Sequence, residues 1–165
     1  MTARRAGIAL AIVQVLLVGT LGLKLLADRA RLPRAWARTL PFDPNLPIRG
    51  RYVRLRLEVP LADGSDAARA GEYRKVRLQA AGDRLEGVLE DDGPVRVRLD
   101  STADGLVAGL DHPVAFFIPE HIPDPSLRSS GEELWAEVTV PGRGPPRPIR
   151  LGVRRDGILT PLEIR

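Results

Sequence analysis

The sequence predicts a mostly β protein: a small antiparallel β-barrel or sandwich domain preceded by a single N-terminal transmembrane helix. Three observations predict this class. Residues 6–23 carry no charge, apolar and polar residues alternate from about residue 41 onward, and turn-forming Gly, Pro, Asn and Asp residues separate the alternating runs. Short alternating runs between turn residues are typical of half-buried strands, and many such runs in succession favour an all-β domain.

The uncharged segment "AGIALAIVQVLLVGTLGL" is long enough to cross a membrane. Its 18 residues span ~27 Å as a helix, close to the ~30 Å hydrocarbon core of a bilayer. A cleavable signal peptide would have an apolar region of only ~7–15 residues followed by small residues. Here the bulky, basic "KLLADRARLPR" follows instead. We therefore predict an uncleaved anchor over residues 1–26, with Gln14 as a candidate contact to a partner helix.

Residues 27–40 are predicted to be a basic juxtamembrane linker, because they are rich in arginine and contain Trp36, a residue type common at membrane interfaces. The cations after the span outnumber those before it, which by itself favours a cytoplasmic domain. A short N-terminal tail before a cysteine-free β domain is instead the usual form of a bacterial signal anchor. We expect an extracytoplasmic domain on this analogy.

The excess of positive over negative charge lies in the N-terminal part of the chain. Residues 1–40 carry seven Lys or Arg and one acid, whereas residues 41–165 carry 18 Lys or Arg and 20 acids. A folded nucleic-acid-binding domain concentrates positive charge on itself, so we expect no nucleic-acid partner. The chain has no cysteine, which excludes disulfides and Cys-based zinc sites.

Seven or eight strands are predicted in the domain over residues 41–165. The first run, "YVRLRLEV", places Val53, Leu55 and Leu57 on one face and leaves Arg54 and Arg56 on the solvent face. Asp156-Gly157 near the chain end predicts a type I′ hairpin, because glycine accepts positive φ freely. The alternating or apolar runs are residues 52–59, 73–80, 84–90, 95–99, 114–118, 134–140, 148–153 and 158–164.

The stretch "DPNLPIRGRYVRLRL" resembles the signature of the GDYXXLXY family of bacterial membrane proteins, in which a D-P pair precedes R-G-D-Y-x-x-L-x-Y after one transmembrane helix. Asp43-Pro44, Arg49-Gly50, Tyr52 and Leu55 match, whereas Arg51 and Leu57 replace the family's aspartate and final tyrosine. The later "FFIPE", which ends in Pro119-Glu120, is similar to an aromatic strand of that family. The resemblance implies an anchored inner-membrane protein of unknown biochemical role, often accompanied by a multi-spanning membrane protein.

Both motif-like stretches supply the candidate interaction residues. Arg49, Gly50, Tyr52, Pro119 and Glu120 are expected to form one rim that binds a partner. The alternative is that Arg49 and Glu120 form an ion pair that only holds two loops together, since exposed pairs commonly have such a role.

No catalytic set, metal site or cofactor site is expected. The two histidines, His112 and His121, flank one predicted strand and so lie too far apart to share a site. Lys75 is the only lysine of the domain, and with a serine it could form the dyad of a signal-peptidase-like hydrolase if it were buried. We expect a membrane-anchored, non-enzymatic β domain that assembles with another membrane or envelope protein. The alternatives are this tethered hydrolase and a soluble secreted carrier released by signal cleavage.

Overall fold

The computed structural model describes residues 3–41, 52–62, 69–102, 105–119 and 121–164. The chain divides into two compact units, Met1–Leu32 and Pro33–Arg165. The first is a single helix and the second is a β domain, as the sequence predicts.

The helix, α1, runs over Ala3–Arg31 and is long and apolar enough to span a membrane. None of its apolar window is buried, which distinguishes it from a core helix of a globular domain. Thr20 satisfies its hydroxyl within the helix by donating hydrogen bonds to the carbonyl oxygens of Leu16, at 2.8 Å, and Leu17, at 3.0 Å. Such internal bonding is required of polar groups that face lipid. Arg29 and Arg31 occupy the last turn, where cations offset the negative end of the helix dipole.

Ten strands follow, and their order in the sheet shows a closed barrel with extra strands. They are β1 (Arg34–Pro41), β2 (Tyr52–Pro60), β3 (Tyr73–Ala81), β4 (Arg84–Leu89), β5 (Val95–Thr102), β6 (Gly105–Leu110), β7 (Val114–Phe117), β8 (Glu132–Thr139), β9 (Arg147–Arg155) and β10 (Ile158–Pro161).

Six strands close the barrel in the order β1, β4, β3, β5, β6, β2 and back to β1. All neighbours are antiparallel except β1 and β4, which meet in parallel where Trp36 lies opposite Arg84. There the Trp36 amide donates to the carbonyl of Asp83 at 2.7 Å. Strands β8, β9 and β10 extend the sheet from β1, and β7 pairs with β2. The structure therefore decides between the two predicted architectures in favour of a barrel.

Apolar side chains from the inward positions of these strands form the core. The period-two pattern predicted for β2 is confirmed on its inward face, since Leu55, Leu57 and Val59 are fully buried. On the other face Arg54 is exposed as predicted, whereas Arg56 is half-buried and Glu58 is buried. Each such buried side chain contributes about 1.5–3 kcal/mol to folding. The hairpin between β9 and β10 also has the predicted turn, because Asp156 and Gly157 both have positive φ, at 51° and 82°.

The prediction that residues 27–40 form a linker is wrong. Helix α1 continues to Arg31, and β1 begins at Arg34 and enters the barrel. Ala35, Ala37 and Thr39 are its buried positions. Thr39 fits there because its hydroxyl donates to the Leu134 carbonyl at 2.9 Å. A basic strand is thus tolerated in the barrel because its cations lie on the outward positions and small residues face the core.

Candidate functional site

The described residues of the predicted rim lie on β2 and just beyond the end of the neighbouring β7. Tyr52 begins β2, and its Cα is paired with that of Phe117 at the end of β7. Pro119 follows two residues later and is half-buried. The structure thus brings the Tyr52 motif and the "FFIPE" motif together. Arg49, Gly50 and Glu120 lie outside the described residues, so the predicted Arg49–Glu120 pair is not tested.

Tyr52 and Phe117 form what we call the aromatic rim. Their side chains point outward because their strand neighbours Val53 and Phe116 pack toward the core. Tyr52 is 42% exposed and Phe117 is 68% exposed. Strand β7 stands at the end of the sheet and pairs only with β2 among the described strands. The aromatic rim is therefore an apolar surface at a sheet end.

Gln14, the candidate contact in the helix, lies on α1 and is exposed. It belongs to the helical unit, whereas the aromatic rim belongs to the β domain.

A second candidate site, which the sequence analysis did not identify, is a cavity of about 240 Å³ lined by residues of β1, β2, β4, β5, β6, β8 and β9. We call it the tryptophan cavity, because Trp36 of β1 and Trp135 of β8 both line it. The charged side chains along it are Arg38, Glu58, Arg84, Glu133 and Arg154. Trp36 and Arg38 reach it because they occupy the outward positions of β1, between the buried Ala35, Ala37 and Thr39.

Arg38 is the centre of a polar network in this cavity. Its guanidinium lies 3.2 Å from Glu133 Oε1 and 3.7 Å from Glu58 Oε2. The other oxygen of Glu133 accepts a hydrogen bond from Trp135 Nε1 at 3.1 Å. Both Glu133 oxygens are therefore engaged by the protein itself, and Arg38 is shared between two carboxylates.

Each tryptophan also carries an arginine against its ring. The guanidinium carbon of Arg154 lies 5.2 Å from the Trp135 ring centroid, and that of Arg150 lies 5.5 Å from the Trp36 ring. These distances are within the range of cation–π attraction. Gly152 lies between Arg150 and Arg154 on β9 and leaves room for the Trp36 ring, since a Cβ at Gly152 would lie only 2.9 Å from Trp36 Cζ3.

The surroundings of Glu58 in the tryptophan cavity change the pKa of its carboxyl group. It is only 9% exposed, and burial raises its pKa above the ordinary value of 4.5. The nearby Arg38 opposes this rise, while Asp100 and Glu133 add to it. Because burial outweighs the ion pair, the cavity favours the neutral form of this carboxyl more than water does.

The residues considered for catalysis do not form a reactive set. Lys75 is exposed on β3, and in the described parts of the chain no hydroxyl group bonds to it. It thus lacks the burial that a Ser–Lys dyad requires. His112 and His121 are exposed on either side of β7. Across the described ranges, no three His, Asp or Glu side chains are grouped so that they could hold a metal ion.

Comparison of the chain with protein-family models, with curated proteins and with solved structures finds no match. The resemblance to the GDYXXLXY family therefore stays a prediction. The sequence does hold one signal for the tryptophan cavity: Ala35, Ala37 and Thr39 alternate with Trp36 and Arg38, and this period of two indicates a strand rather than a linker.

Proposed function

We propose that this chain is a membrane-anchored, non-enzymatic β domain that assembles with another membrane or envelope protein through the aromatic rim. The single observation that carries the proposal is the pair of outward-facing aromatics, Tyr52 and Phe117, on adjacent strands at the end of the sheet. Helix α1 supports the anchoring, because it is apolar on all sides and of spanning length.

The chemistry of the aromatic rim suits a protein partner. Tyr and Phe are enriched at the centres of protein interfaces because they bury a large area at a small cost in side-chain entropy. Burying a side chain such as Phe117 contributes about 1.5–3 kcal/mol. The Tyr52 hydroxyl adds a polar group at the edge of the same patch. Arg49, Gly50 and Glu120 lie outside the described residues and belong to the proposed rim on sequence grounds alone.

The anchor defines the second part of the proposal. We place α1 in the inner membrane of a bacterium as a single pass with the domain outside the cytoplasm, on the resemblance to the GDYXXLXY family and on the form of a signal anchor. A multi-spanning membrane protein is the partner that this resemblance implies. Gln14 would contact it within the bilayer, where an interhelical amide hydrogen bond contributes about 0.6–2 kcal/mol.

The sequence also suggests two other functions, which are the alternatives to this proposal. A hydrolase based on Lys75 would need a buried lysine, and the exposure of Lys75 argues against it. A secreted carrier would need cleavage near residue 30, within the last turn of α1. N-terminal sequencing of the mature protein distinguishes the anchor, which begins at or near Met1, from the carrier, which begins near Leu32.

Co-purification from membranes in mild detergent tests the assembly. The full chain is compared with a Tyr52→Ser/Phe117→Ser variant and with Ile158→Ser, which removes a similarly exposed apolar side chain, 71% exposed, from β10. We expect a stoichiometric partner with the wild type and Ile158→Ser, and at least tenfold less of it with the double variant, as two lost aromatic contacts imply. A partner retained in full by the double variant contradicts the proposal.

A further inference from the structure

The tryptophan cavity carries more positive charge than its own acids neutralise. Three arginines and two glutamates line it. Arg38 is shared between Glu58 and Glu133, and Glu133 is also held by Trp135. Arg84 and Arg154 also line the cavity, and within the described ranges neither forms an ion pair with a carboxylate. The guanidinium carbon of Arg154 lies 5.2 Å from the Trp135 ring centroid, and the Cα atoms of Arg154 and Glu133 are paired across β8 and β9. Two guanidinium groups therefore remain available to an anion.

Most of the other side chains that line the cavity are apolar. Leu106 and Val107 at the start of β6 and the two tryptophans belong to the apolar part of the lining. The volume of about 240 Å³ is below the ~300 Å³ at which sites for drug-sized molecules begin. A ligand that fits is small, with one compact apolar group and one charged group.

From this arrangement we infer that the tryptophan cavity binds a small organic carboxylate, with Arg84 and Arg154 holding the carboxylate and the tryptophan walls holding its apolar body. Guanidinium groups match carboxylates in geometry and form charge-assisted hydrogen bonds with them. The two acids of the cavity face three guanidinium groups, and both acids lie within 4 Å of Arg38, at 3.2 Å for Glu133 and 3.7 Å for Glu58. The balance of side-chain charge in the cavity therefore favours an anion.

The chain provides its own reporter for this binding. It contains two tryptophans, and both line the cavity. Tryptophan fluorescence of the full chain in detergent micelles is therefore titrated with three non-fluorescent probes of matched shape: cyclohexanecarboxylate, its neutral amide and cyclohexylmethylamine, which is cationic. We expect a saturable change with the carboxylate and only weak, non-saturating changes with the amide and the amine.

Variants assign the binding to particular residues. Arg84→Gln and Arg154→Gln should each weaken carboxylate binding by about tenfold, the usual effect of losing one hydrogen bond to a charged group. Glu58→Gln should bind the carboxylate as tightly as the wild type or more tightly. Arg96→Gln is the matched control, since Arg96 lies against Tyr73 and away from the cavity, and it should bind as the wild type does. Circular dichroism confirms that each variant is folded.

Three results would overturn the inference. The first is the absence of any saturable change with the carboxylate. The second is equal weakening by Arg96→Gln, which would indicate a general effect of surface charge. The third is saturable binding of the amine that Glu58→Gln abolishes, which would make this a cation site. None of these results concerns the aromatic rim, so either proposal can be refuted without the other.

Discussion

Adding one methyl group at Gly152 should destabilise the β domain through Trp36. A Cβ at this position would lie 2.9 Å from Trp36 Cζ3, 3.0 Å from Trp36 Cη2 and 3.2 Å from the Thr160 carbonyl oxygen. Carbon atoms in contact prefer ~3.5–4.0 Å, so the indole would have to move by roughly half an ångström or more. Its freedom to do so is limited, because Arg150 lies against the ring.

Overpacking of this kind costs ~1–3 kcal/mol, and we expect Gly152→Ala to cost about 1–2 kcal/mol, since part of the strain is taken up by the outer end of a side chain. For a domain of this size that lowers the melting temperature by roughly 3–8 °C. The assay is thermal unfolding of the full chain in detergent, followed by the circular dichroism of the strands. Gly142→Ala is the control, because its Cβ would meet nothing within 4 Å, and it should shift stability by less than about 1 kcal/mol.

A double-mutant cycle shows whether the indole is the cause. Phenylalanine lacks the two outer ring atoms that the new Cβ approaches, so the penalty of Gly152→Ala should fall by about 1 kcal/mol in a Trp36→Phe background. Equal melting temperatures for Gly152→Ala and Gly142→Ala would refute the reasoning. So would strict additivity of Gly152→Ala with Trp36→Phe.

Three further outcomes are expected. Because the pKa of Glu58 is raised in the folded state, the folded state binds a proton more readily than the unfolded state. The wild type should therefore gain stability relative to Glu58→Gln as the pH falls from the folded pKa toward 4.5. A melting-temperature difference between the two proteins that stays constant with pH would contradict this. Thr39→Val should cost about 1–2 kcal/mol in thermal unfolding because the Leu134 carbonyl loses its buried donor, while Thr39→Ser should retain most of the stability. Val15→Arg should move the protein from the membrane fraction to the soluble fraction on carbonate extraction, because arginine at the centre of a membrane span costs ~2.5–3.5 kcal/mol. The control Val15→Leu should remain in the membrane fraction. A Val15→Arg variant that also remains there would argue against a membrane span.

The class of the fold could be predicted from the sequence because its two signals are local. A run of uncharged residues specifies the long apolar helix, and alternation such as that of Val53, Leu55 and Leu57 specifies strands regardless of their partners. The closure of the barrel is not local. It depends on β1, which pairs with β2, β4 and β8. No periodicity within one strand reveals which strands it will join.

Strand β1 was missed because its inward residues are weakly hydrophobic. Ala35, Ala37 and Thr39 give a faint alternation, and the arginines around them resemble a juxtamembrane segment. Strand β6, Gly105–Leu110, was missed for a similar reason, since two glycines interrupt its apolar pattern.

The two candidate sites also differ in how far the sequence reveals them. Tyr52 and Pro119 belong to short motifs that can be noticed in the sequence, and the structure shows that β2, which begins at Tyr52, pairs with β7, which ends two residues before Pro119. The tryptophan cavity draws Trp36, Glu58 and Trp135 from three strands that are distant in sequence. Glu58 alternates with Leu57 and Val59 in the sequence as a solvent-facing residue would, and only the fold shows that residues of β1 and β8 lie beside it.

Site-specific photo-crosslinking in intact cells tests the assembly role most directly. A benzophenone amino acid is introduced at Phe117, and in a second variant at Ile158, which is equally exposed but lies on β10. We predict one discrete heterologous adduct from position 117, identified by mass spectrometry as a membrane or envelope protein and abolished by Tyr52→Ser. Position 158 should give no such adduct. The account is contradicted if position 117 yields no adduct, yields only a second copy of this chain, or yields the same products as position 158.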